Sequence, residues 1–83
     1  MYYVYMLKDE KGKLYFGYSA DLKRRIKEHL QYKVYTTKRM SLPRLIYYEA
    51  YINEHAAKER EKKLKQFGSS YKGLIKRLKI KDH

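Results

Sequence analysis

The chain has 83 residues and no cysteine, and its 21 lysines and arginines against nine acidic residues give a formal net charge of +12. A chain of this length forms one domain with a modest core. Without cysteine, neither disulfides nor cysteine-ligated zinc can add stability. No apolar run approaches the roughly 18 residues that span a bilayer, and the first residues lack a secretory leader pattern. We therefore expect a soluble, cytoplasmic protein that makes no contact with a membrane.

The charge excess indicates a polyanionic partner. A net charge of +12 on so small a domain attracts polyanions, and eleven tyrosines add stacking surfaces and hydroxyls. Nucleic acid is therefore the first partner to expect. An anionic membrane is the weaker alternative because no helical pattern has a broad, aromatic-rich apolar face. The structural alternative is a basic surface that is only solvated.

The start of the chain has the pattern of a β-hairpin. Two alternating segments, residues 2–7 and 14–18, flank a polar stretch that contains a glycine. The apolar pattern favours a register in which Tyr5 lies opposite Tyr15 and Tyr3 opposite Gly17. Both phenols then share one face of the hairpin. The other face receives the apolar residues Val4, Met6, Leu14 and Phe16.

A first helix is predicted over residues 22–31, after the capping segment 19–21. Its apolar stripe, at positions i, i+4 and i+8, consists of Leu22, Ile26 and Leu30. Arg25 and His29 lie one position before the second and third of these residues. They share the edge of the buried face, where a cleft can open.

The second half of the chain predicts one strand and two further helices. Residues 32–42 have no clean period and form a basic, hydroxyl-rich loop before a strand over 44–49. Asn53 is a suitable N-cap for a helix to residue 67, and Gly68 suits the position after it. Glu61 falls on the inward face of this helix, next to Ala57 and Leu64. A third helix follows Ser69 or Ser70, with Tyr71, Leu74, Ile75 and Leu78 on its apolar side.

Five residues of these elements suit the hydrolysis of a phosphodiester. Arg25 can donate in a planar, bidentate manner to phosphate oxygens. Glu61, as a lone carboxylate, can hold one Mg²⁺ that keeps several waters. Tyr5, Tyr15 or His29 can take a proton from the attacking water, and nearby positive charge favours a phenolate. Each residue also has a structural interpretation, as strand packing, a surface charge or an ion pair. Composition alone indicates only a basic α+β nucleic-acid binder.

The order of these residues resembles the GIY-YIG nuclease family over residues 2–76. Four stretches match the family motifs in sequence: Tyr3-Val4-Tyr5, Tyr15-Phe16-Gly17, Arg25-Ile26-Lys27-Glu28-His29 and Arg60-Glu61-Lys62. Each motif is weak alone, but their order and spacing together are specific. The spacing is similar to that of small single-domain bacterial members. It is also similar to the module in the excision-repair incision subunit.

Two positions depart from the family pattern. Tyr3 replaces the glycine of the first motif, and Phe16 replaces the central isoleucine of the second. Both substitutions are conservative for a strand. The residues that would carry the chemistry are unchanged.

The resemblance implies a fold and a set of roles. The family fold is α+β, a three-stranded antiparallel sheet flanked by helices in the order β-β-α-β-α-α. Tyr5 and Tyr15 would position and activate water, with His29 as an alternative base or proton relay. Arg25 would contact the scissile phosphate, and Glu61 would hold Mg²⁺ or Mn²⁺. Which tyrosine is the base stays open.

The loop and the basic helices would grip the nucleic-acid backbone. The loop residues expected to do so are Lys33, Tyr35, Thr36, Thr37, Lys38 and Arg39. The domain is expected over residues 1–76, with a short basic tail over 77–83. Without an attached recognition domain, cleavage should be directed by DNA structure rather than by sequence.

The leading hypothesis is a divalent-metal-dependent DNA endonuclease in DNA repair. A non-catalytic nucleic-acid-binding module with the same fold is the second hypothesis. A small interaction subunit of a repair complex is the third. The intact set of motif residues favours the enzyme over both alternatives.

Overall fold

The structure is a computed structural model that describes residues 1–31 and 39–80. Within those ranges the chain forms one three-stranded antiparallel sheet, in the order β2-β1-β3, and three helices. The elements in chain order are β1 (Tyr2–Lys8), β2 (Leu14–Ser19), α1 (Leu22–Leu30), β3 (Arg44–Tyr51), α2 (Glu54–Lys65) and α3 (Ser69–Leu78). The predicted α+β architecture and its element order are confirmed.

The register of the hairpin differs from the prediction by two residues. Tyr5 pairs with Gly17 rather than with Tyr15, and Tyr3 pairs with Ser19 rather than with Gly17. A shift of two positions keeps every side chain on its predicted face, because the period of a strand is two. The apolar and phenolic faces are therefore as expected, while each cross-strand partner is different.

The side chain of Asp9 explains the longer turn. Its carboxylate accepts hydrogen bonds from the backbone N–H groups of Lys11, Lys13 and Ser41. Gly12 completes the turn with a φ of 84°, a conformation that favours glycine. Burial alone would raise the pKa of Asp9, but the backbone hydrogen bonds outweigh it and lower the pKa of this carboxyl. Lys8 and Leu14 are therefore the last paired residues before the turn.

The cap of α1 agrees with the sequence, but its buried face does not. The Asp21 carboxylate accepts the Arg24 N–H, as an N-cap does. Leu30, predicted in the apolar stripe, is 53% exposed, whereas His29 is fully buried. The helix is rotated so that His29, at i+7 from Leu22, faces the sheet. His29 has a polar partner there, which offsets the cost of burying its ring nitrogen.

The junction between α2 and α3 also differs in detail. Asn53 caps α2 as predicted, accepting the Ala56 N–H. After the helix, Phe67 rather than Gly68 takes the left-handed conformation, with a φ of 55°. Gly68 is instead the N-cap residue of α3 and makes no side-chain capping bond. The serines predicted to cap α3 form its first turn.

The sheet lies between α1 on one face and α2 with α3 on the other. The larger core cluster joins one face of β1 and β2 to the last two helices: Val4, Met6, Phe16, Ala57, Leu64, Tyr71, Leu74 and Ile75. The smaller cluster lies on the α1 side and is built on Tyr5, Leu7 and Met40. Fewer buried side chains therefore cover the face of the sheet that carries Tyr5.

The C-terminal segment is anchored for most of its described length. Helix α3 extends to Leu78, and both Leu78 and Ile80 pack against the larger core cluster. The domain boundary at residue 76 stays a prediction. None of the helices within residues 1–31 and 39–80 is long and apolar enough to cross a membrane.

An ionic network fixes α2 against β3. The Arg60 Nε donates to Glu49 Oε1 at 2.9 Å and its Nη2 donates to Oε2 at 3.0 Å. The hydroxyls of Tyr47 and Tyr51 donate to the same carboxylate. Burial alone would raise the pKa of Glu49, but these donors outweigh it and the pKa lies below its usual value. Because Arg60 is held at the sheet, the orientation of the next residue on α2, Glu61, is fixed as well.

Replacing Glu49 tests this network. The Glu49→Gln variant should lose about 1–2 kcal/mol of unfolding free energy, since it weakens hydrogen bonds to a charged group. Glu59→Gln, at an exposed position of α2, should change the unfolding free energy by less than about 0.5 kcal/mol. Urea denaturation of both variants gives the comparison. Equal stability of the wild type and Glu49→Gln would contradict the proposed anchor.

The same experiment has a defined pH dependence. The folded-state pKa of Glu49 is lowered, so its contribution is complete above the ordinary glutamate pKa of about 4.3. It is lost as the pH falls through the lower folded-state value. The stability difference between the wild type and Glu49→Gln should therefore shrink in acid.

Candidate active site

The ring of Tyr5 lies directly over Gly17 of the neighbouring strand. A Cβ added to Gly17 would be 2.3 Å from both Cζ and Oη of Tyr5, which is impossible without movement of the ring. The observed register makes this approach possible because it places Gly17 opposite Tyr5. The glycine of the second motif therefore provides the space that the phenol occupies.

Three rings from β1, β2 and α1 meet at this point. The Tyr5 hydroxyl is 2.7 Å from Nε2 of His29. The His29 ring also packs edge-on against Tyr15, with 5.3 Å between ring centroids. Tyr5 and Tyr15 are 6.4 Å apart by the same measure. We refer to Tyr5, Tyr15 and His29 as the aromatic cluster.

The members of the aromatic cluster differ in their access to solvent. Tyr5 and His29 are buried, with 1% and 0% of their surface exposed, respectively. Tyr15 is only partly buried. A ligand that approaches from solvent therefore meets Tyr15 before the other two rings.

Burial controls the protonation of the two inner rings. Desolvation, followed by the positive charge of Arg25, lowers the pKa of His29 to about 4, although Glu28 opposes this shift. His29 is therefore neutral at physiological pH. Desolvation and the proximity of Tyr15 raise the pKa of Tyr5 to about 12, against the opposing effect of Arg25. The positive charge of Arg25 lowers the pKa of Tyr5, as expected, but burial outweighs this effect.

Arg25 lies at the mouth of the aromatic cluster. Its side chain is 35% exposed, and Nη1 is 3.1 Å from Oε1 of Glu28. The guanidinium also interacts with the Tyr5 hydroxyl. Glu28 is partly buried and binds Arg24 as well, at 3.2 Å. Arg25 thus keeps part of its donor surface open toward solvent while Glu28 limits its movement.

Glu61 approaches the aromatic cluster from the opposite helix. Its side chain is 23% exposed and its Oε2 is 3.2 Å from Nζ of Lys65. The same Nζ lies 5.7 Å from the Tyr15 ring centroid. The negative charge of Glu61 also contributes to the raised pKa of Tyr5. Glu61 is thus linked to the Tyr15 ring through Lys65, and its charge acts on Tyr5.

The donor set near Glu61 limits which metal can fit. Among residues 1–31 and 39–80, no group of three histidine, cysteine or acidic side chains could hold a metal ion. A lone, partly exposed carboxylate suits Mg²⁺ or Mn²⁺, hard ions that keep water and share substrate oxygens. It does not suit a closed structural zinc site, which needs four protein ligands.

The predicted nucleic-acid contacts fall mostly outside the described residues. Those outside are Lys33, Tyr35, Thr36, Thr37 and Lys38. Arg39 is described, and it is exposed beside the buried Met40. The five predicted catalytic and metal-binding residues are all described: Tyr5, Tyr15 and His29 form the aromatic cluster, Arg25 interacts with the Tyr5 hydroxyl, and Glu61 pairs with Lys65.

Sequence reasoning missed two charged residues of the site. Glu28 follows Arg25 by three positions, and Lys65 follows Glu61 by four. Both spacings place side chains together on a helix surface. Helical spacing around each predicted site residue was therefore a signal that could have identified them.

The comparisons with known proteins show the family of the chain. The family model of the GIY-YIG catalytic domain matches residues 1–74, and this is a nuclease-type family. The chain belongs to the GIY-YIG family.

Among solved structures, the chain is similar to the solution NMR structure of a UPF0213 protein from Bacillus halodurans. The two share 32% sequence identity with a TM-score of 0.58, over 95% of this chain and 86% of the other. No curated protein gives a significant match to the chain.

The close approach of Tyr5 to Gly17 leads to a direct test. Gly17→Ala should lower the unfolding free energy by about 1–3 kcal/mol, because the added methyl forces the Tyr5 ring to move. Gly73→Ala is the matched control, since a Cβ there meets nothing within 4 Å. It should be neutral or should stabilise α3 by up to about 1 kcal/mol. Chemical denaturation measures the unfolding free energy of both variants. A Gly17→Ala variant as stable as the wild type would show that the site accommodates the added methyl group.

Proposed function

We propose that this protein is a divalent-metal-dependent endonuclease that hydrolyses DNA phosphodiester bonds. The observation that carries the proposal is the contact of Tyr5 with His29 and Arg25, with Glu61 linked to Tyr15 through Lys65, in a chain of the GIY-YIG family. The net charge of +12 supports a nucleic-acid substrate. Selection by DNA structure rather than by sequence is part of this proposal.

Arg25 is the residue proposed to hold the scissile phosphate. Its guanidinium is partly exposed and already oriented by Glu28. A planar guanidinium can donate two parallel hydrogen bonds to phosphate oxygens. It can also stabilise the negative charge that grows on those oxygens in the transition state.

Tyr15 is the phenol best placed to act on the attacking water. Tyr5 is buried and its pKa is raised to about 12, so its hydroxyl keeps its proton at neutral pH. His29 is buried as well, and it is engaged with that hydroxyl. Tyr15 is the partly exposed member of the aromatic cluster. We assign to it the orientation of the attacking water, with the rings of Tyr5 and His29 packed against its own.

Glu61 is the residue proposed to hold the divalent cation. When bound there, Mg²⁺ or Mn²⁺ would supply Lewis-acid stabilisation of the phosphate charge. The Lys65 ammonium now paired with Glu61 would have to give up part of this contact. Arg60, anchored to Glu49 on β3, keeps the helix in the orientation that presents Glu61.

Replacing Glu61 tests the catalytic part of the proposal. The substrates are nicked, branched and fully paired DNA, each with Mg²⁺ or Mn²⁺. Glu61→Gln should reduce the cleavage rate to below about one hundredth of wild type, the scale expected when one stabilising group of the transition state is lost. DNA affinity should stay the same or rise slightly, because a negative charge is removed.

Glu59→Gln is the matched control and should cleave at the wild-type rate, since Glu59 is exposed on the same helix. Full activity of Glu61→Gln would overturn the metal-site assignment. Salt-dependent binding without cleavage by the wild-type protein would instead identify a non-catalytic nucleic-acid-binding module.

A second pair of variants separates catalysis from binding. At saturating protein, single-turnover cleavage removes affinity from the measurement. Arg25→Ala should then lose on the order of 10²- to 10³-fold in rate. Lys27→Ala, on the exposed side of α1, should lose little rate and only a modest share of affinity. Equal, small losses in both variants would reduce Arg25 to one more surface charge.

A further inference from the structure

An open groove adjoins the site on the α1 side of the sheet. Its volume is about 510 Å³. Leu22 and Ile26 of α1 and Leu45 of β3 supply apolar surface, and Tyr3 and Tyr48 line the sheet side. The groove is therefore mainly apolar and partly aromatic, although it is exposed to solvent.

Tyr3 and Tyr48 are not explained by core packing. Within residues 1–31 and 39–80, neither belongs to the two core clusters or to the partly buried residues packed against them. Tyr48 is 53% exposed, and the two rings meet edge to face with 6.1 Å between centroids. Tyr3 also occupies the position at which the family motif has glycine. The pair is thus a feature of this chain that the family chemistry does not require.

The position of the groove relates it to the aromatic cluster. Tyr48 is the β3 partner of Tyr5, so the two residues lie side by side on one face of the sheet. Tyr3 precedes Tyr5 by two residues on that same face, a distance of about 7 Å along the strand. A nucleotide beside a phosphate held at Arg25 would therefore have its base near this groove.

The charges around the groove suit a nucleic-acid strand. Lys23 lines the groove from the exposed surface of α1, within a chain of net charge +12. Asp21 also lines it, but its carboxylate caps α1 and lies 3.5 Å from Nε of Arg24. The negative charge at this end is thus already paired within the protein.

We propose that the Tyr3–Tyr48 groove binds an unpaired nucleobase next to the cleaved phosphate. The base would stack on Tyr48 and contact the apolar surfaces of Leu22 and Ile26. Aromatic side chains in a basic groove bind bases of any sequence, because every base has a flat face. Since a paired base cannot leave its stack without cost, the groove would favour DNA with a bulge, flap or gap. This inference rests on the proposed function, because it names the structural feature of the substrate.

The test measures binding separately from cleavage. Two DNA duplexes are compared in the presence of a chelator, one with a single-base bulge and one with an abasic residue at the same position. Fluorescence anisotropy gives the affinities, and 2-aminopurine as the bulged base reports stacking. The variants are Tyr48→Leu, which removes the ring, and Tyr48→Trp, which keeps an aromatic face. Phe67→Leu is the control, since Phe67 is also an exposed aromatic residue, at 56%, but lies between α2 and α3.

Tyr48→Leu should weaken binding of the bulged DNA by about 5- to 100-fold, the loss expected for one base–aromatic stack. Its affinity for the abasic DNA should be unchanged, and the 2-aminopurine signal should lose its quenching. Tyr48→Trp should bind the bulged DNA at least as tightly as wild type. Phe67→Leu should resemble wild type throughout.

Three results would overturn the inference. One is an equal loss of affinity for bulged and abasic DNA in Tyr48→Leu, which would indicate a backbone contact. Another is the finding that the Tyr48→Trp variant folds but binds bulged DNA no more tightly than abasic DNA. A third is a change of oligomeric state in sedimentation of either Tyr48 variant, which would assign the groove to a second copy of the chain. Because the chelator prevents metal-dependent cleavage, a failed nuclease assay and a failed stacking assay remain distinguishable.

Discussion

The close packing of a phenol ring on a glycine is the constraint on which the rest of the site depends. Tyr5 can point toward α1 because Gly17, opposite it in the sheet, has no side chain. From there its hydroxyl meets His29, which in turn determines how α1 lies on the sheet. Arg25 is one helical turn earlier and is consequently held at the mouth of the same cluster.

The electrostatic character of the site follows from this packing. Burial keeps Tyr5 protonated and His29 neutral, so the inner part of the cluster carries no net charge at physiological pH. The charged groups, Arg25 and Glu61, enter from different helices at the partly exposed edge. An uncharged interior with opposite charges at its edge can hold a phosphate and a cation together without burying either ion completely. The cost of desolvating a charge inside so small a domain is thereby avoided.

The two faces of the sheet are packed differently. The face toward α2 and α3 contains the larger core cluster, and the Glu49–Arg60 network fixes α2 there. The other face has only the smaller cluster and the short helix α1. That thinner cover leaves an open groove beside the aromatic cluster, and it also leaves Tyr48 exposed. Stability and ligand access are thus divided between opposite sides of the same three strands.

Local patterns in the sequence determined much of this protein. Strand alternation assigned Tyr5 and Tyr15 to one face, and capping residues located the starts of α1 and α2. These features depend on residues close together in the chain, so periodicity and capping chemistry are sufficient to predict them. The five candidate site residues came from the order of the family motifs. The net charge, which indicates the class of partner, is likewise a property of the sequence alone.

Only the tertiary structure decided which groups meet and in which protonation state. The Asp9 carboxylate binds the N–H of Ser41, which lies far along the chain, in addition to those of Lys11 and Lys13 within the turn, and the register is shifted by two residues from the prediction. Burial of His29 in place of Leu30 required the Tyr5 hydroxyl from another element. The raised pKa of Tyr5 and the lowered pKa of His29 come first from desolvation. Desolvation depends on how all the surrounding elements pack, and no local pattern in the sequence contains that information.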